Sequence, residues 1–358
     1  MSKKVICLVP EVTSLGGPRT FQRNMIDWSE KTGKVEFTFD AERKDIDAYL
    51  VIGAPKKYLW KLLKARMSGI PVTHRLNGIN WIHRRVKLGL KYSLHSELAN
   101  TAIAFYRRFV CSRIIYQSPF CKRRWKTRYG STLKPSKIIF NGTDLDVFHP
   151  AETAPDLSKR IDFVLVEGSF KYGMNFGLGV AVGLALDLAS RFPQKIVVHT
   201  AGKVDESDKV SVRKRVEESG KKNVEIVFEG VMNRDQLIEL EQKAAFLFSS
   251  ELNPACPNAV IEALACGVPV IGFDTGALKD VTGEGGIIVP YGADPWKLEP
   301  PNRFPLTDAA EIVIRENTDY RKAARARAKQ NFSIDRCGEA YVRFCLGLKD
   351  REESEESV

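Results

Sequence analysis

Along the C-terminal half of the chain, short apolar runs alternate with longer stretches of helical period. "IDFVLVEG" is followed by "GLGVAVGLALDLASRF", "KIVVHTAG" by "VSVRKRVEESG", and "VEIVFEG" by "RDQLIELEQKA". "AFLFSS" then leads to a helix that opens near Asn258 and stops at Gly267, and "PVIGFD" closes the series as another strand. Strands without polar alternation, joined by helices, are covered on both faces, which predicts a parallel sheet in a doubly wound α/β domain. The N-terminal half repeats the pattern more loosely. "KVICLVP" runs into the glycine turn "SLGGPRT" and a helix, while "IDAYLVIGA", "IPVTHRLNG", "RIIYQS" and "SKIIFNG" read as further strands. The pattern predicts two Rossmann-like domains in series, over residues 1–150 and 151–334, with a linker rich in Pro, Asp and Thr at 141–160. Residues 351–358 are acidic, small and polar, and predict a disordered tail.

Length agrees with this division, since 358 residues exceed one domain of ~150. No secretory signal opens the chain, and "YGMNFGLGVAVGLAL" falls short of the ~20 apolar residues that a membrane-spanning helix needs. The seven cysteines are odd in number and lack C-x-x-C spacing, which points to buried free thiols in a reducing cytoplasm rather than disulfides or zinc.

Charge separates the halves. Residues 1–150 hold 28 Lys/Arg against 11 Asp/Glu, and the remainder holds 27 against 33. Between Asp47 and Asp144 the one acidic side chain is Glu97. "KKYLWKLLKARMSG" and "HRRVKLGLKYSL" are basic and apolar at helical spacing, with Trp60, Trp81 and Tyr92 interleaved, and "YRRFV" and "CKRRWKTRY" add cations. Basic amphipathic helices with aromatic edges suit an anionic membrane surface, here through residues 56–128. A solvated basic face over an ordinary core is the alternative. Nucleic acid fits on charge alone and has no recognition motif behind it.

The candidate chemistry lies in "CPNAVIEALACGVPVIGFD", residues 256–274. Asn258 suits a helix N-cap, and a helix starting there would turn the N–H groups of Ala259, Val260 and Ile261 outward as a receptor for phosphate. Glu262, one turn in, would repel a phosphate but could accept hydrogen bonds from ribose hydroxyls. A solvated first-turn acid on a capped helix is the plain alternative.

The wider block "ACPNAVIEALACGVPVIGFDTGALKDVTGEGGIIVPYG" resembles the donor-site signature of family 4 retaining glycosyltransferases, which have the GT-B fold. "IIFNGTDLDVFHP", "IIYQSPFCKRRW", "HRLNGINW" and "SLGGPRT" are similar to further segments of that family, and "FSIDRCGEAYVRFCLGL" to its closing helices. The resemblance implies two Rossmann-like domains facing each other across a cleft, with a final helix near 335–350 crossing back to the first. It implies a nucleotide-diphosphate sugar as donor, held mainly by the second domain, with Glu262 on the ribose and Asn258, Ala259 and Val260 at the phosphate. Gly16 and Gly17 would let the first domain's loop approach the donor. Gly168 and Lys171 would serve the diphosphate, although Ser169 stands where the family has Arg. Pro254 stands where it has a sugar-binding carboxylate, so Glu251 or Asn253 would have to substitute. Arg75 and Asn77 would face the transferred sugar or the acceptor, or else shape their own loop. Enzymes of that kind need no bound metal and no His cluster appears in the sequence, so the resemblance implies no cofactor or metal. The resemblance thus implies a hexosyltransferase acting on an unknown acceptor (a glycan, a lipid-linked or a small molecule), while the cysteines suggest the cytoplasm and the basic face of 56–128 an inner membrane surface. A degenerate, non-catalytic GT-B binder of sugar or nucleotide is the rival.

Overall fold

The structure is a computed structural model that describes residues 3–14, 16–170 and 176–349. Lys171 and the tail 351–358 lie outside the described residues. The chain divides into two units, one up to Asp144 and again from Asn331 onward, the other Leu145–Gln330. Both divisions fall a few residues earlier than the sequence pattern suggests.

The first unit holds strands β1 (Val5–Val9), β2 (Glu36–Thr38), β3 (Ala48–Ile52), β4 (Val72–Leu76), β5 (Arg113–Tyr116) and β6 (Ser136–Ile138). They form one sheet in the order β2-β1-β3-β4-β5-β6, all parallel. Its helices are α1 (Gly17–Thr32), α2 (Leu59–Met67), α3 (Leu90–Phe105) and α4 (Pro119–Tyr129). Successive β1 residues feed opposite cores: Ile6 and Leu8 pack with Phe21 and Met25 of α1, Cys7 and Val9 with Leu62 of α2. Burial on both faces explains why these strands show no polar alternation.

The second unit holds β7 (Arg160–Ser169), β8 (Lys195–Lys203), β9 (Val224–Gly230), β10 (Phe246–Ser249), β11 (Val270–Phe273) and β12 (Gly286–Val289). Its helices are α5 (Phe176–Arg191), α6 (Glu206–Glu218), α7 (Arg234–Lys243), α8 (Asn258–Ala265), α9 (Leu278–Thr282), α10 (Phe304–Arg315) and α11 (Asn317–Asn331). The sheet order is β12-β11-β10-β7-β8-β9, again all parallel. Counted from the unit's first strand this is the dinucleotide-fold order 3-2-1-4-5-6, whose direction reverses between β7 and β10. Beyond Gln330 the chain rejoins the first unit. Thr143 pairs with Ser333, and α12 (Ile334–Leu346) sets Tyr341 against Phe21 and the indole N–H of Trp28 on Asp335 Oδ1 at 2.9 Å.

Two expectations need correction. "HRRVKLGLKYSL" is not one helix: a 3-10 turn over Ile82–Arg84 ends before Gly89, whose φ of 90° starts the chain afresh into α3. Nor do all the cations of 56–128 form a surface. Arg107 is buried and donates to the Gly130 carbonyl at 2.8 Å, and Trp125 is a core residue. All seven cysteines are free, and six of them are buried.

Candidate functional site

In an open α/β sheet, ligands bind outside the carboxyl ends of the strands where the order reverses. In the second unit that point lies between β7 and β10, the strands that lead to α5 and α8. Their carboxyl ends are tied together by the Ser250 hydroxyl, which donates to Glu167 Oε1 at 2.8 Å. A Cβ on Gly177 would lie 2.2 Å from Ser250 Cβ, so glycine there lets the first turn of α5 close on the end of β10. Gly168 meets no such crowding.

Two carboxyls share this edge. Desolvation raises the Glu167 carboxyl, against the Ser250 hydrogen bond, and desolvation followed by the Glu167 charge raises Glu251. Glu251 is itself exposed, which discounts desolvation and leaves the Glu167 charge as the firmer cause of its upward direction.

The loop from Ser250 to Pro257 is held from outside. The Pro254 carbonyl accepts from Ala277 N–H at 2.8 Å, and a Cβ on Gly276 would lie 2.4 Å from Pro254 N. Asn253 takes a left-handed φ of 56°, which asparagine tolerates, and its buried amide Nδ2 has no partner. The hydroxyl of Ser169, at the end of β7, is likewise buried and without a partner. Pro254 itself is buried and offers no side-chain contact.

Helix α8 begins one residue earlier than a cap at Asn258 requires. Pro257 is the N-cap, Asn258 is the first helical residue, and no side chain caps the helix. Ile261 N–H reaches the Pro257 carbonyl at 3.3 Å, so the outward set is that of Asn258, Ala259 and Val260, not 259–261. Glu262 is half-buried in the next turn. Its charge reaches the fully buried Glu241 of α7, whose carboxyl is raised first by desolvation and then by Glu262. Ala263 and Ala265 are buried against the sheet, as the run of small residues predicts.

In the first unit, Gly16 caps α1 with a φ of 130°, and Gly17 is its first residue, so the glycine turn follows β1 directly. Gln22 of α1 holds that turn, donating to Pro10 O at 2.7 Å and accepting from Val12 N–H at 2.8 Å. Arg75 is the penultimate residue of β4 and only 1% exposed. Its Nη1 donates to Asn77 Oδ1 at 2.7 Å and its Nη2 to Asn141 Oδ1 at 2.8 Å, while the guanidinium stacks 4.0 Å over Phe21. Asn77 Oδ1 also accepts from Gln117 Nε2 at 2.5 Å, and its carbonyl accepts from Trp125 Nε1 at 2.8 Å. These contacts fit the alternative reading of Arg75 and Asn77, in which both brace the loop after β4. His74 is buried, bonded to the Gly53 carbonyl at 2.8 Å and pushed down to about 4 by desolvation.

Sequence reasoning did not reach Glu167 or Glu241. A lone carboxylate closing the apolar run "IDFVLVEG" was the available signal for the first. Among the described residues no group of three His, Cys, Asp or Glu side chains could hold a metal ion.

Residues 177–298, from α5 to beyond β12, match the family model for glycosyl transferases group 1. Sucrose-phosphate synthase from Thermosynechococcus elongatus superposes with a TM-score of 0.64 at 17% identity, over 96% of this chain and 98% of that one. Anabaena HepE in complex with UDP-glucose gives 0.66 at 14%, over 97% and 100%. This is the GT-B fold. A third GT-B neighbour, WaaG, a glycosyltransferase involved in lipopolysaccharide biosynthesis, gives 0.64 at 13%, over 95% and 99%. No curated protein matches the chain by sequence. At these identities the structural likeness is one of fold, and the family match adds support for a glycosyltransferase.

Proposed function

We propose that the chain is a retaining glycosyltransferase of the family 4 type that moves a hexosyl group from a nucleotide-diphosphate sugar to an acceptor. The observation that carries this is the coincidence at one strand edge of the second unit. The reversal between β7 and β10, the glycine-tight start of α5 and the first turn of α8, with Asn258 and Ala259 half-buried, all meet there, and α5 and α8 lie in the segment that matches the glycosyltransferase model. The N–H groups of Ala259 and Val260, with the helix dipole, would hold phosphate oxygens, and Glu262 would accept from the ribose hydroxyls. Asn253 and Glu251 would meet the sugar in place of the carboxylate missing at Pro254.

In the reaction the acceptor hydroxyl would attack the anomeric carbon on the face from which the diphosphate leaves. The C–O bond to phosphate breaks as the new one forms, and the proton passes to the departing phosphate oxygen. Preorganised N–H groups would stabilise the charge that grows there, so the scheme requires no metal. We place the enzyme in the cytoplasm, peripheral at the inner membrane face, where a lipid-linked acceptor would be within reach. A second reading, binding without turnover, is favoured by Pro254, whose backbone serves the loop and whose side chain serves no sugar.

The test is thermal stability against UDP, GDP and ADP and their sugar conjugates. A ligand at 100 times its Kd stabilises by about 2.7 kcal/mol. One nucleotide series should shift the melt, and Glu262→Ala should weaken that ligand roughly tenfold or more while the fold persists. No shift with any nucleotide would sink the proposal. A shift without transfer, once acceptors are supplied, would favour the non-catalytic reading, and an inverted product anomer would remove retention.

A further inference from the structure

Helix α3 is built inside out. Its fully buried side chains are both polar, Ser96 and Asn100, while Leu90 (92% exposed), Leu94, Leu98 and Phe105 face solvent. At 3.6 residues per turn those four lie within an arc of about 80°, opposite the buried pair. The helix is fastened by polar contacts instead of a core. Asn100 accepts from Asn80 N–H at 3.0 Å and donates back to its carbonyl at 2.9 Å. Glu97 is gripped by Arg84 at 2.6 and 2.9 Å and by His83 at 2.9 Å, which hold its carboxyl down at about 2.

The apolar stripe does not stop at α3. A π-helical turn over Tyr106–Val110 follows, where the ring of exposed Phe109 lies 5.2 Å from that of Phe105, tilted by 43°, and the Phe109 carbonyl accepts from Arg66 of α2. On α2, Trp60 (80% exposed) and Met67 lie two turns apart on one face, with Lys64 between them. Exposed cations border the stripe: Lys57, Arg85, Lys87, Lys91 and Arg108. Glu97, the one carboxylate in this region, is already held.

We propose that this face, the leucine stripe of α3 continued by Phe109, Trp60 and Met67, seats on an anionic lipid surface. The stripe would enter the boundary between headgroups and acyl chains while the cations meet lipid phosphates. A second copy of the chain is the wrong occupant, because each copy would bring cations to cations with no free carboxylate between them. No described helix is long and apolar enough to cross a membrane, so the attachment is a lateral one. The inference deepens the membrane-face part of the proposed function, and its test reads lipid binding alone.

The full chain is sedimented with phosphatidylcholine vesicles that contain or lack phosphatidylglycerol. It should pellet with the phosphatidylglycerol vesicles, release in high salt, and shift Trp fluorescence to the blue on binding. The double variant Leu94→Ser, Leu98→Ser should partition about tenfold more weakly or worse with an unchanged melt, since neither side chain is in a core. Its nucleotide-induced stabilisation should equal that of the parent, so loss of lipid binding and loss of the donor site are read separately. Equal pelleting with pure phosphatidylcholine, or undiminished binding by the variant, would overturn the proposal. So would a lipid-free dimer that the same variant dissociates, because a second copy would then own the face.

Discussion

Helices α3 and α5 are both sixteen residues long, and both are rich in apolar side chains. They use them in opposite ways. Helix α5 buries nine residues, Leu178, Val182, Leu184 and Leu188 among them, and its Gly177 lets it press against the end of β10. Helix α3 buries two, and both carry hydrogen-bonding groups. The difference teaches that apolar content does not fix which face of a helix turns inward. What fixes it is what the neighbours offer. The sheet beneath α5 offers a greasy surface, whereas the segment beneath α3 offers the backbone of Asn80, the Arg84 guanidinium and the His83 ring.

The widest gap between the two is expected on truncating a leucine in each. Leu184 is wholly buried in the core of the second unit, and Leu184→Ala should cost about 2–5 kcal/mol through lost transfer energy and a cavity. Leu94→Ala removes the same atoms from an exposed site and should stay within about 0.5 kcal/mol of the parent. Urea midpoints of the two variants measure this. A large loss at Leu94 would break the comparison, since the face would then be covered in solution even without lipid.

A smaller loss is expected on the polar side of α3. Asn100→Ala deletes both hydrogen bonds to Asn80 and should destabilise by roughly 1–3 kcal/mol. Asn100→Leu should do no better, although it makes the helix more apolar. If the leucine variant were more stable than the parent, the inside-out arrangement would be an accident of composition and not a device held by those contacts.

The sequence carried much of this and concealed the rest for physical reasons. Ten of the strands lie in runs that pattern alone picks out, because a strand buried on both faces leaves an unbroken apolar signal. The edge strand β2, three residues of "EFT", is too short and too polar to show one. The start of α8 was legible to within a residue, since a proline and an asparagine mark the turn, but the cap moved to Pro257 because Asn258 is already helical. Arg75 and Asn77 were legible as strand-end residues that could shape their loop, but their partners were not, since Asn141, Gln117 and Phe21 are distant in sequence. The exposed face of α3 was hidden for the opposite reason. Leucines at helical spacing look the same whether they meet a core or water.

Glu241 supplies the smallest and most discriminating contrast with Asn100. Both are buried polar groups on the inward face of a helix, yet Asn100 is paired twice with backbone groups, whereas the Glu241 carboxyl has only the weak thiol donor of Cys266. In "RDQLIELEQKA" it follows Ile238 by three residues, which puts a carboxylate on the buried stripe. Burial and then the Glu262 charge raise its folded-state affinity for a proton above that of the unfolded chain. Its contribution to stability is therefore complete below the unfolded value of about 4.3 and is lost as pH rises toward the folded value. Glu241→Gln keeps the shape and removes the charge. The variant should match the parent near pH 4 and exceed it by about 1 kcal/mol or more at pH 8, the cost of an under-paired buried polar group. Melting curves across that range measure the difference, which should widen with pH. A variant less stable than the parent at pH 8 would mean that the ionised carboxylate is held by a partner, and the contrast with Asn100 would vanish. The same variant probes the site, because a neutral residue at 241 removes the charge nearest to Glu262 from within α7.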